Sequence, residues 1–190
     1  MLPTTSNAIA NRALNLMGGN LPPVQGNAPS FDSSAAGVAL SSLYAPAVQT
    51  VLKQYGFDFT RNVFTLSLTG NTAPMGFAFE YAYPAAAIEI WQIQPATLAD
   101  VNNPLPQNWM IGNTLVSGTQ TKVIWSNLAS AEAVLNNAPI EATWDVEVSE
   151  AVSRLLASEL AMALFGKPDA SQALLESGGS FETLAETRNG

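Results

Sequence analysis

The stretch Phe77-Ala78-Phe79-Glu80-Tyr81-Ala82-Tyr83-Pro84 decides how this chain is read. Aromatic residues alternate with other types and the run stops at a proline, the pattern of a strand with one covered face. Ala87-Ile88-Glu89-Ile90-Trp91-Gln92-Ile93 alternates again and ends at Pro95. After a loop carrying Pro104 and Pro106, the stretches Trp109-Met110-Ile111, Asn113 to Val116 and Lys122 to Trp125 read as further short strands. Gly112-Asn113 and Ser117-Gly118 are the turn signals between them. The middle of the chain is therefore a small β region of roughly four to six strands.

Helical patterns flank it. Thr5 or Ser6 caps a first helix running to about Met17, with Ile9, Ala10, Ala13 and Leu14 on its apolar side and Gly18-Gly19 as its stop. Leu21 to Ser30 holds three prolines and reads as a loop. Asp32, Ser33 and Ser34 are cap candidates for a second helix ending near Gly56, kinked at Pro46. Phe57 to Leu68 reads as a strand or as a short helix. Asp145 to Phe165 is the longest helix, ended by Gly166, and Asp169 caps a last one to Glu176 before Gly178-Gly179 loosen the tail. The expected fold is α+β, mainly α. A helical bundle built from 1–70 and 135–190 carries a small antiparallel β insertion, 71–134, between the second and third long helices of one domain.

Composition bounds the chemistry. The 190 residues contain neither histidine nor cysteine. Ser-His-Asp, Cys-His and zinc-hydrolase chemistries, disulfides and thiol switches are thus excluded from this chain. Charged residues make up 12%, about half the usual share, so part of the surface is expected to be covered by partners. The net charge of −8 has the wrong sign for gripping nucleic acid. From Glu141 onward nine acids face only Arg154, Lys167 and Arg188, so the C-terminal helices carry most of that charge. The start lacks a basic segment followed by an apolar one, and Leu155 to Phe165 is too short to span a bilayer. A soluble chain made in the cytoplasm is expected, with no membrane partner.

Candidate sites are few. Asp145, Glu147 and Glu150 open the long helix and Glu159 follows. A metal or acid–base cluster is one reading, and favourable charge at the positive end of a helix dipole is the stronger one. Glu80 and Glu89 lie on adjacent strand candidates, where a carboxylate pair for glycoside hydrolysis is one reading and solvent-exposed acids the stronger one. The alternation places both opposite the apolar face, exposed to solvent. Trp91, Trp109 and Trp125 concentrate in the β region, where stacking of bases or sugars is one reading and a mixed core and protein interface the stronger one. Gly118-Thr119-Gln120-Thr121-Lys122 lacks the second glycine of a phosphate loop and reads as a turn. No catalytic residue, metal ligand or cofactor is assigned.

The order of motifs resembles the phage head-to-tail connector adaptors, in particular the tail tubular protein A family of short-tailed phages. Ala13-Leu14-Asn15-Leu16-Met17-Gly18 is similar to that family's opening helix and its glycine. Asp32 to Gly56 is similar to its second helix. Tyr81-Ala82-Tyr83-Pro84, leading into Ile88-Glu89-Ile90-Trp91, resembles its Y-x-Y-P step. Leu156-Ala157-Ser158-Glu159-Leu160-Ala161 resembles its late helix.

The resemblance implies a non-enzymatic virion protein at the head–tail junction. It implies a homo-oligomeric ring, typically dodecameric, between the portal protein and the tail nozzle, with genomic DNA passing through unread. On that reading Asp145, Glu147, Glu150 and Glu159 are candidate lumen or ring acids. Trp91, Trp109 and Trp125 are candidate tail-facing aromatics, and Phe181, Leu184 and Arg188 a candidate portal-contacting tail. The rivals are a head-completion or tail-completion protein of a long-tailed phage, a small host oligomerisation module, and a cell-wall or carbohydrate-active enzyme using Glu80 and Glu89.

Overall fold

A computed structural model describes residues 5–18, 21–55, 60–96, 108–116, 118–166 and 168–179. Helix α1 (Ser6–Leu16) starts at Thr5, whose Oγ1 accepts the Ala8 N–H at 3.2 Å. Helix α2 (Ala35–Tyr55) starts after Ser34, whose Oγ accepts the Gly37 N–H at 3.1 Å. Pro46 lies inside α2, which runs on past it. Helix α3 (Val146–Phe165) ends at Gly166 with φ +60°, the left-handed conformation that glycine adopts most cheaply. Helix α4 (Pro168–Gly179) begins at its proline, one residue before the expected cap, and continues through Gly178-Gly179.

These helices belong to one of two compact units, Met1–Gly56 with Pro139–Gly190; the other is Phe57–Ala138. In the helical unit α3 packs against α1, α2 and α4. Small residues allow a close approach: Ala10 and Ala13 of α1 and Ser149 and Ser153 of α3 are buried. Ser153 Oγ lies 2.8 Å from Ser149 O and 3.3 Å from Ile9 O, so its hydroxyl bridges α3 and α1. Ala35–Gln54 is long and apolar enough to cross a bilayer, as the core helix of a globular unit also is; within its unit it packs on α3. Two-residue strands β1 (Gly26–Asn27) and β2 (Ser30–Phe31) form a ribbon in the loop between α1 and α2. Asn7 and Asn11 of α1 pin that loop through Val24 O and Gly26 O at 2.7–3.1 Å.

The second unit holds no α-helix among the described residues and is built mainly of strands. Strands β3 (Arg61–Thr65), β8 (Ala131–Asn137) and β5 (Ala87–Pro95) form one antiparallel sheet in the order β3-β8-β5. Strands β4 (Phe79–Ala82), β7 (Thr119–Ser126) and β6 (Trp109–Val116) form another in the order β4-β7-β6. The chain beyond β3 links them. Leu66 N–H still bonds Ala131 O, whereas Thr69 N–H bonds Glu80 O and Ala82 N–H bonds Ser67 O. Between the sheets lies a core of Leu66, Tyr81, Ile90, Ile93, Ile124 and Leu135 with Ala131 and Ala133.

Several expectations are corrected here. The fold is a mixed α/β one, with 41% helix, 30% strand, three antiparallel sheets and four α-helices among the described residues; it is not a helical bundle with a small β insertion. The strand content exceeds the expectation because β8 has the composition of a helix and β3 lies in a stretch that suits either element. Gly112-Asn113 is not a turn, since β6 runs unbroken through it. The alternation in β5 is interrupted by register shifts between Ala87 and Glu89 and between Ile90 and Gln92. The second shift leaves Trp91 pointing outward, 44% exposed.

Candidate functional site

The best-defined polar cluster is built around Glu80. The residue is 2% exposed, which overturns the expectation of a solvent-facing side chain. Both faces of β4 are covered, because Tyr81 on the opposite side enters the core. Thr69 Oγ1 and Asn71 Nδ2 each donate to Glu80 Oε1 at 2.8 Å, and Trp125 Nε1 donates to Oε2 at 2.9 Å. The Thr114 side chain also donates to the carboxylate. Burial pushes its pKa up, but the donors Trp125, Asn71, Thr69 and Thr114 outweigh that and hold it below the ordinary value. The carboxylate is shielded mainly by its own donors and lies close beneath the surface rather than at the centre of a thick core.

The strands place these groups. Glu80 and Trp125 are directly opposed across β4 and β7. The indole lies over β6, where a Cβ on Gly112 would sit 2.2 Å from ring atoms Cη2 and Cζ3. Gly112 is therefore the gap that lets the ring lie flat, and Phe77 packs beside it at 6.4 Å between centroids. Thr69, Asn71 and Thr114 carry no signal of this role in the sequence, and Gly112 carries that of a turn. The isolated glycine in a strand pattern, opposite a run with a tryptophan, was the available signal.

Chemically, the cluster retains a carboxylate in its ionised state and occupies both oxygens. It is a poor general acid, because the proton it would deliver is disfavoured. Glu89 is half-buried on β5, in the other sheet, paired across from Asn136. Asn136 is fully buried, and its amide has no hydrogen-bond partner among the described residues. Among the described residues no three acidic groups cluster closely enough to hold a metal ion.

The acids of α3 separate by environment. Asp145 occupies the cap position, exposed, and makes no side-chain cap bond. Glu147 is half-buried in the first turn. Glu150 bridges α1 and α3. Its Oε1 is 3.1 Å from Arg12 Nη2 and 3.2 Å from Arg154 Nη2, and its Oε2 accepts from Arg12 Nε at 3.2 Å. Burial raises its pKa, and the two arginines more than reverse that. Glu159 lies roughly 13 Å further along the helix and has the opposite shift, raised by burial. Its Oε2 is buried without a hydrogen-bond partner among the described residues.

The tryptophans differ as well. Trp91 is exposed and carries the Arg61 guanidinium 4.2 Å above its ring. Trp109 packs on the β core, and Trp125 is committed to Glu80. Phe181, Leu184 and Arg188 lie outside the described residues. Neither protein-family models nor curated proteins give a match to this chain.

Proposed function

We propose that this chain is a structural virion protein, a head-to-tail adaptor that forms a ring of about twelve copies between a phage portal and its tail nozzle. The observation that carries the reading is the order of the family-like motifs and where they fall. Ala13 to Gly18 closes α1, Asp32 to Gly56 spans α2, Tyr81 to Pro84 leaves β4, and Leu156 to Ala161 lies in the middle of α3. The chemistry supports it. The Glu80 carboxylate is saturated by neutral donors, which leaves the hydrolase alternative with Glu89 and no acid partner. The net charge of −8 suits a channel wall that repels phosphates and lets genomic DNA pass unread.

The test is to mix the chain with the portal protein of its phage and image the product by electron microscopy. A ring of this chain seated on the portal is the expected result. Absence of the chain from purified virions overturns the reading. Its presence at the far end of a long tail favours the tail-completion alternative.

A further inference from the structure

We propose that the outer edge of β6 pairs with the same edge of a second copy of this chain, antiparallel and centred on Asn113. The inference concerns the free chain and stands apart from the adaptor reading.

Two outer edges of the β unit, those of β5 and β6, are treated differently. Natural sheets guard their edges with charges, prolines, bulges or short strands. At one end, β5 carries two register shifts, Glu89 and Pro95. At the other end, β6 is eight residues long, Trp-Met-Ile-Gly-Asn-Thr-Leu-Val, with no charge, no proline and an unbroken register to β7. Among the described residues no strand pairs with its outer side. Met110, Ile111 and Leu115 are 46%, 37% and 70% exposed along it. Strand β4 pairs with β7 only from Val123 to Ser126, so Asn113–Val116 of β6 and Thr119–Lys122 of β7 form a two-stranded ribbon. Such a ribbon has little stability alone, and a neighbour that makes it four-stranded removes that weakness.

The hydrogen-bond parity fixes the register. Thr69 N–H bonds Glu80 O, so the Glu80 backbone faces away from β7. In an antiparallel ladder Tyr81 and Ile124 then exchange bonds, and Trp125 and Val123 turn toward β6. Their partners Met110 and Gly112 face inward. The odd-numbered residues Trp109, Ile111, Asn113 and Leu115 therefore direct their N–H and C=O groups outward. A two-fold axis perpendicular to the sheet through Asn113 sets Asn113 against itself and Ile111 against Leu115, twice over. Each pair joins residues of the same face, bonded through groups that point outward. The two most complementary exposed apolar residues of the strand cover each other. Because β6 carries no charge, the net charge of −8 sets no like charges against each other along this strand.

The chain's lack of cysteine makes the test clean. Sedimentation of the full chain at micromolar concentration is expected to show a dimer that dissociates on dilution. Asn113→Cys is expected to form a disulfide-linked dimer under mild oxidation, since opposed residues lie about 5.5 Å apart at Cα, within disulfide range. Met75→Cys, at a fully exposed position, is the control and should cross-link far more slowly. Asn113→Pro removes an outward N–H without touching the ladder to β7, and Asn113→Lys sets a charge against its own copy. Both are expected to be monomeric. If the proline variant fails to fold by circular dichroism, the lysine variant decides. A monomeric wild type, equal cross-linking of the two cysteine variants, or a dimer that survives Asn113→Lys overturns the proposal.

Discussion

In the helical unit the carboxylate of Glu150 sits between two guanidinium groups; in the β unit the carboxylate of Glu80 sits among four neutral donors. Both are held ionised, below their ordinary pKa, but the means differ. The helices meet along buried serines and alanines, and the Glu150 carboxylate that bridges α1 and α3 lies at the rim, where Arg12 is 45% exposed on its side chain. Water and salt weaken such a pair. The β unit turns its apolar residues to one side and closes the other side of β4 with Glu80, Trp125 and the glycine beneath the ring. A charge covered by neutral dipoles gains nothing from counter-ions and is weakly screened. Burial of an acid is thus no measure of its worth; the kind of donor and the access of solvent decide it.

The sharpest way to break the comparison is Glu80→Gln. The amide fits the space but presents its NH2 to at least one group that is itself a donor, among Trp125, Asn71, Thr69 and Thr114. A loss of about 3 kcal/mol is expected, read by urea unfolding at pH 7. The pH dependence follows from the direction of the shift. A carboxyl held below its unfolded value contributes fully above the ordinary 4.5 and loses that contribution as the pH falls through its folded value. The difference between wild type and Glu80→Gln should therefore be full at neutral pH and shrink in acid. A difference that is unchanged down to pH about 2 would mean the carboxylate is not what the donors hold.

Next in size is Gly112→Ala. Its Cβ would meet the rigid Trp125 ring at 2.2 Å, so the ring must tilt and its Nε1 must leave Glu80. Overpacking of this kind costs about 1–3 kcal/mol. Because the same bond is lost in both variants, combining Gly112→Ala with Glu80→Gln should cost clearly less than the sum. Simple additivity in a double-mutant cycle would separate the glycine from the cluster.

These two residues also show where the sequence was readable and where it was not. Helix ends were legible because caps are local: Thr5, Ser34 and Gly166 act within one turn of themselves. The strand at Phe79–Ala82 was legible too, but its second face was not, since alternation reports only that one face is apolar. What covers Glu80 comes from Thr69, Asn71, Thr114 and Trp125, between 9 and 45 residues away, and no local pattern brings them together. Strand β8 is hidden in the sequence for the same reason. Ala131-Glu132-Ala133-Val134-Leu135 has good helix formers, and pairing with β3 and β5 on both sides overrides them. Gly112-Asn113 has the local look of a turn because the partner that requires the glycine, an indole on the next strand, lies 13 positions on.

Glu150→Gln tests the helical half of the comparison. The pair is part-exposed, so the loss should be below about 1 kcal/mol and smaller than that of Glu80→Gln. Salt is the discriminating variable. In about 1 M NaCl, where the screening length is about 3 Å, the cost of Glu150→Gln should largely vanish. The cost of Glu80→Gln should persist. Equal salt sensitivity in the two variants, measured by denaturant melts at low and high salt, would erase the distinction between the units.

The smallest effect has the opposite sign and comes from the same helix as Glu150. Glu159 is half-buried, its pKa is raised by that burial, and its Oε2 has no hydrogen-bond partner among the described residues. For a carboxyl raised above its unfolded value, the fold prefers the protonated form. Its stability is complete below the ordinary 4.5 and declines as the pH rises through the folded value. Ionised Glu159 therefore works against the fold at neutral pH, where Glu80 and Glu150 work for it. Glu159→Gln keeps the shape, removes the charge, and should raise the melting temperature at pH 7 while leaving it unchanged at pH about 4. Plotted against pH, the differences from wild type for Glu159→Gln and Glu80→Gln should both grow from acid to neutral, one as a gain and the other as a loss. A drop in melting temperature for Glu159→Gln at pH 7 would mean that this carboxylate has a donor of its own, and α3 would then hold its two inner acids in the same way.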